Sequence, residues 1–298
     1  MLPKVVHLQY IIKDFVNYIL VFSKFNHLRR DLSFKYKMHN SYLGQDGRYI
    51  FLQRDRIIKP FVNRYGHWDI NLVVFISNII KSSSSKKLFI DIGANQGLIS
   101  MQILNMIENV SNVQFICVEP VKKYFINLKL NIENTNEFNC FTLHNFGLGS
   151  FENLDKPIYF TKRNATASLH PDLVVKPIVN LKTENVKIIS VTNFIENYLP
   201  STKIEIVIKS DTDGSDIEIF NLFMNSKISH QIICYTLELI LSNISDISLI
   251  EFIQNCNKFN NWNLMVRNGK KIENKMEILR RLQSKEDFIG DLYLSILK

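Results

Sequence analysis

The segment Leu88-Phe-Ile-Asp-Ile-Gly-Ala-Asn-Gln-Gly97 constrains the fold of this chain more than any other stretch. A short apolar run ends in an acid, Asp91, and a turn carrying Gly93 and Gly97 follows. Beyond the turn, Leu98, Ile99, Met101, Ile103, Leu104 and Ile107 recur at helical spacing. A buried strand, a glycine turn and a helix N-terminus together build a nucleotide-type pocket at the carboxyl end of a parallel sheet. Glycine supplies the backbone freedom of the sharp turn and lets a ligand come close.

The spacing argues against a dinucleotide. A nicotinamide fingerprint needs G-x-G-x-x-G, whereas Asn95 holds the middle position here and leaves G-x-x-x-G. Asp91 at the strand end would also repel a pyrophosphate. S-adenosylmethionine suits such a turn, having a sulfonium, an ammonium, a carboxylate and no phosphate. Asp91, Gly93, Ala94, Asn95 and Gly97 are its expected contacts, with Asp91 near the methionine moiety. A second apolar run, Val113–Pro120, ends in Glu119, placed to accept bonds from ribose hydroxyls. A third, Cys140–Asn145, ends before Phe146, so the Asn145 amide is expected to read an adenine edge and Phe146 to stack on it.

With these three units in order, the chain resembles the FkbM-like class I methyltransferases, which use S-adenosylmethionine. The resemblance is carried by Asp91–Gly97, Val118-Glu-Pro120, Leu143–Gly149, Asn164–Leu169, Ile208–Asp216 and Leu237-Glu238, and by Phe288–Ser295 as a last strand. It covers roughly Lys86 to the C-terminus. Two departures stand out. Asp213 and Asp216 replace glutamates of the family's K-x-D-x-E-G-x-E pattern, and the N-S-G-x-S-S-L-like segment is reduced to Asn164-Ala-Thr-Ala-Ser-Leu169. The resemblance implies O-methylation of a sugar or glycan hydroxyl.

Charge divides the chain. Residues 1–86 hold 14 Lys and Arg against 5 Asp and Glu, whereas the remainder holds 22 against 23. The basic N-terminal part suits an anionic acceptor, phosphorylated or linked to a nucleotide or lipid, or an anionic membrane face. Nucleic acid is not expected, because the basic residues form no stripe interleaved with aromatics. Leu8, Ile11, Ile12, Phe15, Ile19 and Phe22 predict an amphipathic helix; packing on the domain is its first reading and peripheral membrane contact its second. Lys13, Asp14 and Asn17 interrupt it, so no membrane span is expected. Four cysteines without a C-x-x-C pair point to a reducing cytoplasm.

The expected organisation is a basic, helical or mixed cap over residues 1–86, then a methyltransferase domain over 87–298 with an insert at about 150–185. The cap is predicted to contain a short strand, Tyr49–Gln53, and a helix from Asp69 to Ile80. From Lys87 onward strands and helices alternate, which predicts an α/β, Rossmann-like, doubly wound and mostly parallel sheet. Core strands are expected at Leu88–Ile92, Gln114–Glu119, Cys140–Asn145, Ile204–Asp211, Ile233–Leu239 and Asp291–Leu297, with a helix starting near Asp216. Ile158–Phe160 and Lys187–Ile189 are read as an extra hairpin or edge pair.

Methyl transfer needs a positioned acceptor and, for a hydroxyl, removal of its proton. Asp211 is the first candidate for that contact, as base or orienting acceptor, with Lys209 as its charge partner or as a ligand for an anionic substrate, and Asp213 and Glu238 nearby. These carboxylates could instead take a divalent cation, though no metal is expected because no histidine joins them. His67, in Tyr65-Gly-His-Trp-Asp69, is a further catalytic candidate. His170 is a weaker one, and packing competes for both. Two rival readings remain: a non-catalytic binding protein on this fold and a dinucleotide-dependent oxidoreductase.

Overall fold

The computed structural model describes residues 49–52, 57–107, 109–160, 167–171, 182–200, 202–241, 244–266, 270–284 and 289–297. The described residues all lie within one compact unit. The helix predicted over Leu8–Phe22 lies outside the described residues. Among the described residues, two helices, α1 (Ile58–Tyr65) and α2 (Ile70–Lys81), precede the first strand, β1 (Lys87–Ile92). Then come α3 (Leu98–Met106), β2 (Val113–Val118), α4 (Lys122–Glu133), β3 (Phe141–His144) and β4 (Gly147–Gly149). The middle of the chain forms β5 (Asn153–Phe160), β6 (Ala167–Ser168), β7 (Lys182–Ser190), α5 (Val191–Asn197), β8 (Glu205–Ser210) and α6 (Asp216–Met224). It closes with β9 (Ile232–Ile240), α7 (Asp246–Cys256), β10 (Asn261–Val266), β11 (Lys271–Ile272), α8 (Lys275–Ser284) and β12 (Ile289–Ser295).

Eight strands form one sheet in the order β11-β10-β12-β9-β8-β1-β2-β3. The five from β9 to β3 run parallel, while β12, β10 and β11 each run antiparallel to their neighbours. This is the doubly wound α/β class read from the sequence, with an antiparallel edge that the sequence pattern did not announce. All six residues of β1 are buried, as a central strand covered on both faces requires. Phe89 packs with Ile76, Ile80 and Ile103 of α2 and α3. Ile90 and Ile208 pack on the other face with Phe194, Phe220 and Phe252 of α5, α6 and α7. Because α2 packs directly on the sheet, Ile70–Lys81 belongs to the same core. No described helix is long and apolar enough to cross a membrane.

The insert folds as a second, four-stranded sheet, β4-β7-β5-β6, whose Ile158, Phe160, Val186 and Ile188 pack on Val121 and Tyr124 at the start of α4. The expected pairing of Ile158–Phe160 with a strand just after it is present, but as β5 against Lys182–Glu184. The predicted strand at Tyr49–Gln53 is corrected. Tyr49–Leu52 joins no strand, and Gln53 lies outside the described residues. Its backbone is held by side-chain amides instead: Ile50 N donates to Asn131 Oδ1 (2.7 Å) and Leu52 N to Gln96 Oε1 (2.8 Å). Those amides satisfy the groups that a neighbouring strand would otherwise have to pair.

Candidate active site

The chain leaves β1 toward β2 and β3, then returns to β8 on the other side, so the sheet reverses direction between β1 and β8. At the carboxyl ends of these strands lies a cleft with about 1220 Å3 of empty volume, open solvent included. Doubly wound sheets bind their ligands at this switch point. The turn after β1 forms one wall. Gly93 and Ala94 donate to Val118 O (2.9 and 3.1 Å), and Gly93, Asn95 and Gly97 all adopt positive φ (73°, 51° and 83°). The glycines are needed for the turn as predicted, but the close approach is to protein. A Cβ on Gly93 would lie 2.0 Å from the Asp211 carbonyl oxygen, and one on Gly97 2.6 Å from Leu128 Cδ1.

Glu119 lines the cleft at the end of β2, where the sequence placed it. Its carboxylate accepts from Asn95 N and Val121 N, both at 2.8 Å, and so couples the first turn to the second. Burial pushes its pKa up to about 7, against the lowering by those two amides. A carboxylate has about four lone-pair sites, so two remain for hydroxyl donors. Pro120, Leu148, Ile158, Leu169 and Ile188 make an apolar flank beside it.

Asn145 and Phe146 correct the expected adenine site. The Asn145 amide is spent on Glu119 O (2.9 Å) and Pro120 O (3.0 Å), where it shapes the turn. Phe146 belongs to the core, stacked on His144 at 5.1 Å, and does not line the cleft. Gly147 and Leu148, the next two residues, reach the cleft instead. His144 is therefore a packing residue, and burial lowers its pKa.

Asp91 is fully buried and stands behind the cleft wall. Its Oδ1 lies 3.0 Å from Lys209 Nζ, and its Oδ2 accepts from Ser100 Oγ at 2.6 Å. Lys209 also donates to Gly93 O (3.0 Å) and lies 3.8 Å from Asp211 Oδ2. Burial works against the ammonium, but Asp91 and Asp211 outweigh it and hold its pKa above the ordinary lysine value. Among the described residues that line the cleft, Lys209 is the only basic one. Its charge is already matched by Asp91.

The turn after β8 brings Asp211, Thr212 and Asp213 to the cleft. Asp211 is exposed; Asp213, at φ 53°, accepts from Ala167 N at 3.2 Å. Asp216 is buried and accepts from Thr212 N (3.0 Å), so it braces the turn into α6. Burial, then repulsion from Asp211, raises the Asp216 pKa to about 6. Oxygens of Asp211, Asp213 and Glu238 all lie within 4.8 Å of one another, compact enough for a cation. Burial and the neighbouring acids push Glu238 up to about 9.

His67 does not line the cleft; its ring packs against Phe61 (6.0 Å) and Tyr65 (6.3 Å). Its neighbour Trp68 does line it. Gln102 clamps the Trp68 backbone, with Trp68 N donating to Oε1 (2.9 Å) and Nε2 donating to Trp68 O (3.0 Å). His170 is exposed and also away from the cleft. Sequence reasoning passed over Asp69 and Asp291, two acids that the fold brings toward Asp211. An acid inside the apolar run before Leu292 was the one available signal. Most basic residues expected to attract an anionic acceptor lie in 1–48, outside the described residues, and the described end of the cleft is acidic.

Topology and cleft together define a Rossmann-like α/β fold with its ligand site at the switch point. No family model and no curated protein sequence matches the chain. Similar solved structures include the methyltransferase FkbM from Methylobacillus flagellatus KT, at 12% identity and a TM-score of 0.41, covering 70% of this chain and 43% of that one. A putative O-methyltransferase from Klebsiella pneumoniae is similar at 8% identity and a TM-score of 0.43, covering 78% and 82%. The N-terminal domain of human METTL16 is similar at 13% identity and a TM-score of 0.38, covering 84% and 75%. The chain thus spans less than half the length of the FkbM structure.

Proposed function

We propose that this chain is an S-adenosylmethionine-dependent methyltransferase that O-methylates a hydroxyl of a sugar or glycan. One observation carries the reading. Among the described residues, the switch-point cleft is lined by the acids Glu119, Asp211 and Asp213 and by one lysine, Lys209, which is already paired. Among these described residues a pyrophosphate would find no free cation, whereas a phosphate-free, positively charged nucleoside is electrostatically suited. Glu119 would hold ribose hydroxyls, the Gly93–Gly97 turn would lie along the donor, and the apolar flank would take the adenine. When bound, the donor supplies an electrophilic methyl group on a sulfonium.

The chain's own residues do the rest. Lys209 ties the first turn to β8 through Gly93 O and Asp91, which fixes the distance between the donor wall and Asp211. Asp211, exposed on the cleft, orients the acceptor hydroxyl and takes up its proton. Trp68 covers the cleft from the α2 side and limits water there. Calorimetric titration with S-adenosylmethionine, S-adenosylhomocysteine and NADH tests the reading. Micromolar binding of the two sulfur nucleosides, lost in Glu119→Ala, is the expected result. Preferential NADH binding, or no binding by folded protein freed of carried-over cofactor, would overturn it.

A further inference from the structure

Next to the donor cleft the fold assembles a second feature from residues distant in sequence. Asp91, Lys209, Thr236 and Tyr293 stand in register across β1, β8, β9 and β12. One step further toward the carboxyl ends, Glu238 pairs with Asp291, and Asp211 follows β8. All face α2, because Val207, Cys234 and Tyr293 pack on its side of the sheet. Asp69, at the N-terminal end of α2, closes the group from the helix layer, and its charge acts on Asp291.

We propose that the acceptor carries an amine, as an amino sugar does, and that its ammonium group binds in the acidic well of Asp69, Asp211, Asp213, Glu238 and Asp291. The inference rests on the methyltransferase reading and names the acceptor class for that same site. Two buried atoms point to a missing partner. The Tyr293 hydroxyl is 3% exposed and bonds no group among the described residues, and the charges acting on it are those of Asp69 and Asp291. Glu238 Oε2 is likewise buried without a hydrogen-bond partner. Native proteins leave few such atoms unsatisfied.

The charge balance points the same way. Among the described residues Lys209 is the cation that acts on this group, and Asp91 and Gly93 O engage it at 3.0 Å. Burial, then mutual repulsion, raises the pKa values of Asp69, Asp213, Glu238 and Asp291, with Asp216 adding to the repulsion. Burial and repulsion thus favour the protonated carboxyls, Glu238 above all, and a cation bound among them would displace a proton. An ammonium fits better than a divalent ion for three reasons. Lys209 Nζ stands 3.8 Å from Asp211, one Asp213 oxygen is committed to Ala167 N, and the aromatic residue Trp68 lines the cleft. An organic cation can use an aromatic ring where a divalent ion needs further oxygens.

Calorimetry on the full chain saturated with S-adenosylhomocysteine decides the matter, with glucosamine, glucose, glucose 6-phosphate and magnesium ion as probes. Glucosamine is expected to bind at least tenfold more tightly than the other two sugars and to release protons, read from buffers of different ionisation heat. Glu238→Gln and Asp291→Asn should each weaken it at least tenfold, with melting temperature confirming that the variants fold. Equal binding of glucose, tighter binding of the phosphate sugar, or magnesium competing with glucosamine would overturn the inference. So would no response to glucosamine in protein that binds S-adenosylhomocysteine, which leaves the proposed function standing. If S-adenosylhomocysteine itself fails to bind, that reading falls, and the glucosamine arm is run and judged without it.

Discussion

Lys209→Met asks whether Asp91 belongs to the frame of the site or to its ligand surface. At 3.0 Å the pair attracts with about 5–6 kcal/mol if the effective dielectric constant is about 20. Much of that offsets the desolvation of two buried charges. Removing one partner leaves the other uncompensated, which costs roughly 3–5 kcal/mol. Asp91 would keep only the Ser100 hydroxyl, and the Gly93 carbonyl would lose its donor. At roughly 2–4 °C per kcal/mol for a domain of this general size, the midpoint should fall on the order of 10 °C. The double variant Asp91→Asn/Lys209→Met should recover about half of the loss, because no charge is then stranded. Urea and thermal unfolding at pH 7 measure both. A Lys209→Met variant within about 1 kcal/mol of the parent, or a double variant showing the plain sum of the two single losses, would refute a buried, coupled pair. If Asp91 were instead a ligand contact, Asp91→Asn would weaken donor binding and leave stability intact.

Donor affinity should rise about tenfold from pH 6 to pH 8 as Glu119 ionises around pH 7, and the slope should vanish in Glu119→Gln; calorimetry at several pH values checks this, and a flat parent profile would contradict it. Asp69 and Asp216 at about 6 and Glu238 at about 9 retain protons in the folded state that the unfolded chain gives up near pH 4. Stability should therefore fall as pH rises from about 5 to 9, and a melting temperature that climbs over that window would show these acids to be solvated. Gly93→Ala should cost more than about 3 kcal/mol, since the new methyl meets a backbone oxygen, and Gly97→Ala about 1–2, since it meets the movable end of Leu128. Chemical denaturation should rank them in that order. Gln96→Ala should strip exchange protection from the Leu52 amide, which hydrogen-exchange mass spectrometry would register.

The features legible in the sequence were local ones. The run Leu88–Gly97 specifies a buried strand, a turn and a helix start within ten residues, because apolar continuity and glycine placement act over that distance. Glu119 was legible for the same reason, being the first acid after an apolar strand. The class of sheet followed from alternation. What alternation cannot supply is which face a residue takes once the strand is paired. Asn145 and Phe146 read as an adenine site, and their tertiary contacts place them in a turn and in the core instead. Asp91 read as a ligand contact until β8 put Lys209 beside it, a contact spanning more than a hundred residues of chain. The acidic well belongs wholly to the tertiary structure. Asp69, Asp213, Glu238 and Asp291 lie in four separate segments, and only the order β12-β9-β8-β1 with α2 above it makes them neighbours. Sequence alone determined that this chain builds a switch-point cleft. Strand order and register decided which charges face it, because electrostatic character depends on distances in space, to which spacing along the chain is blind.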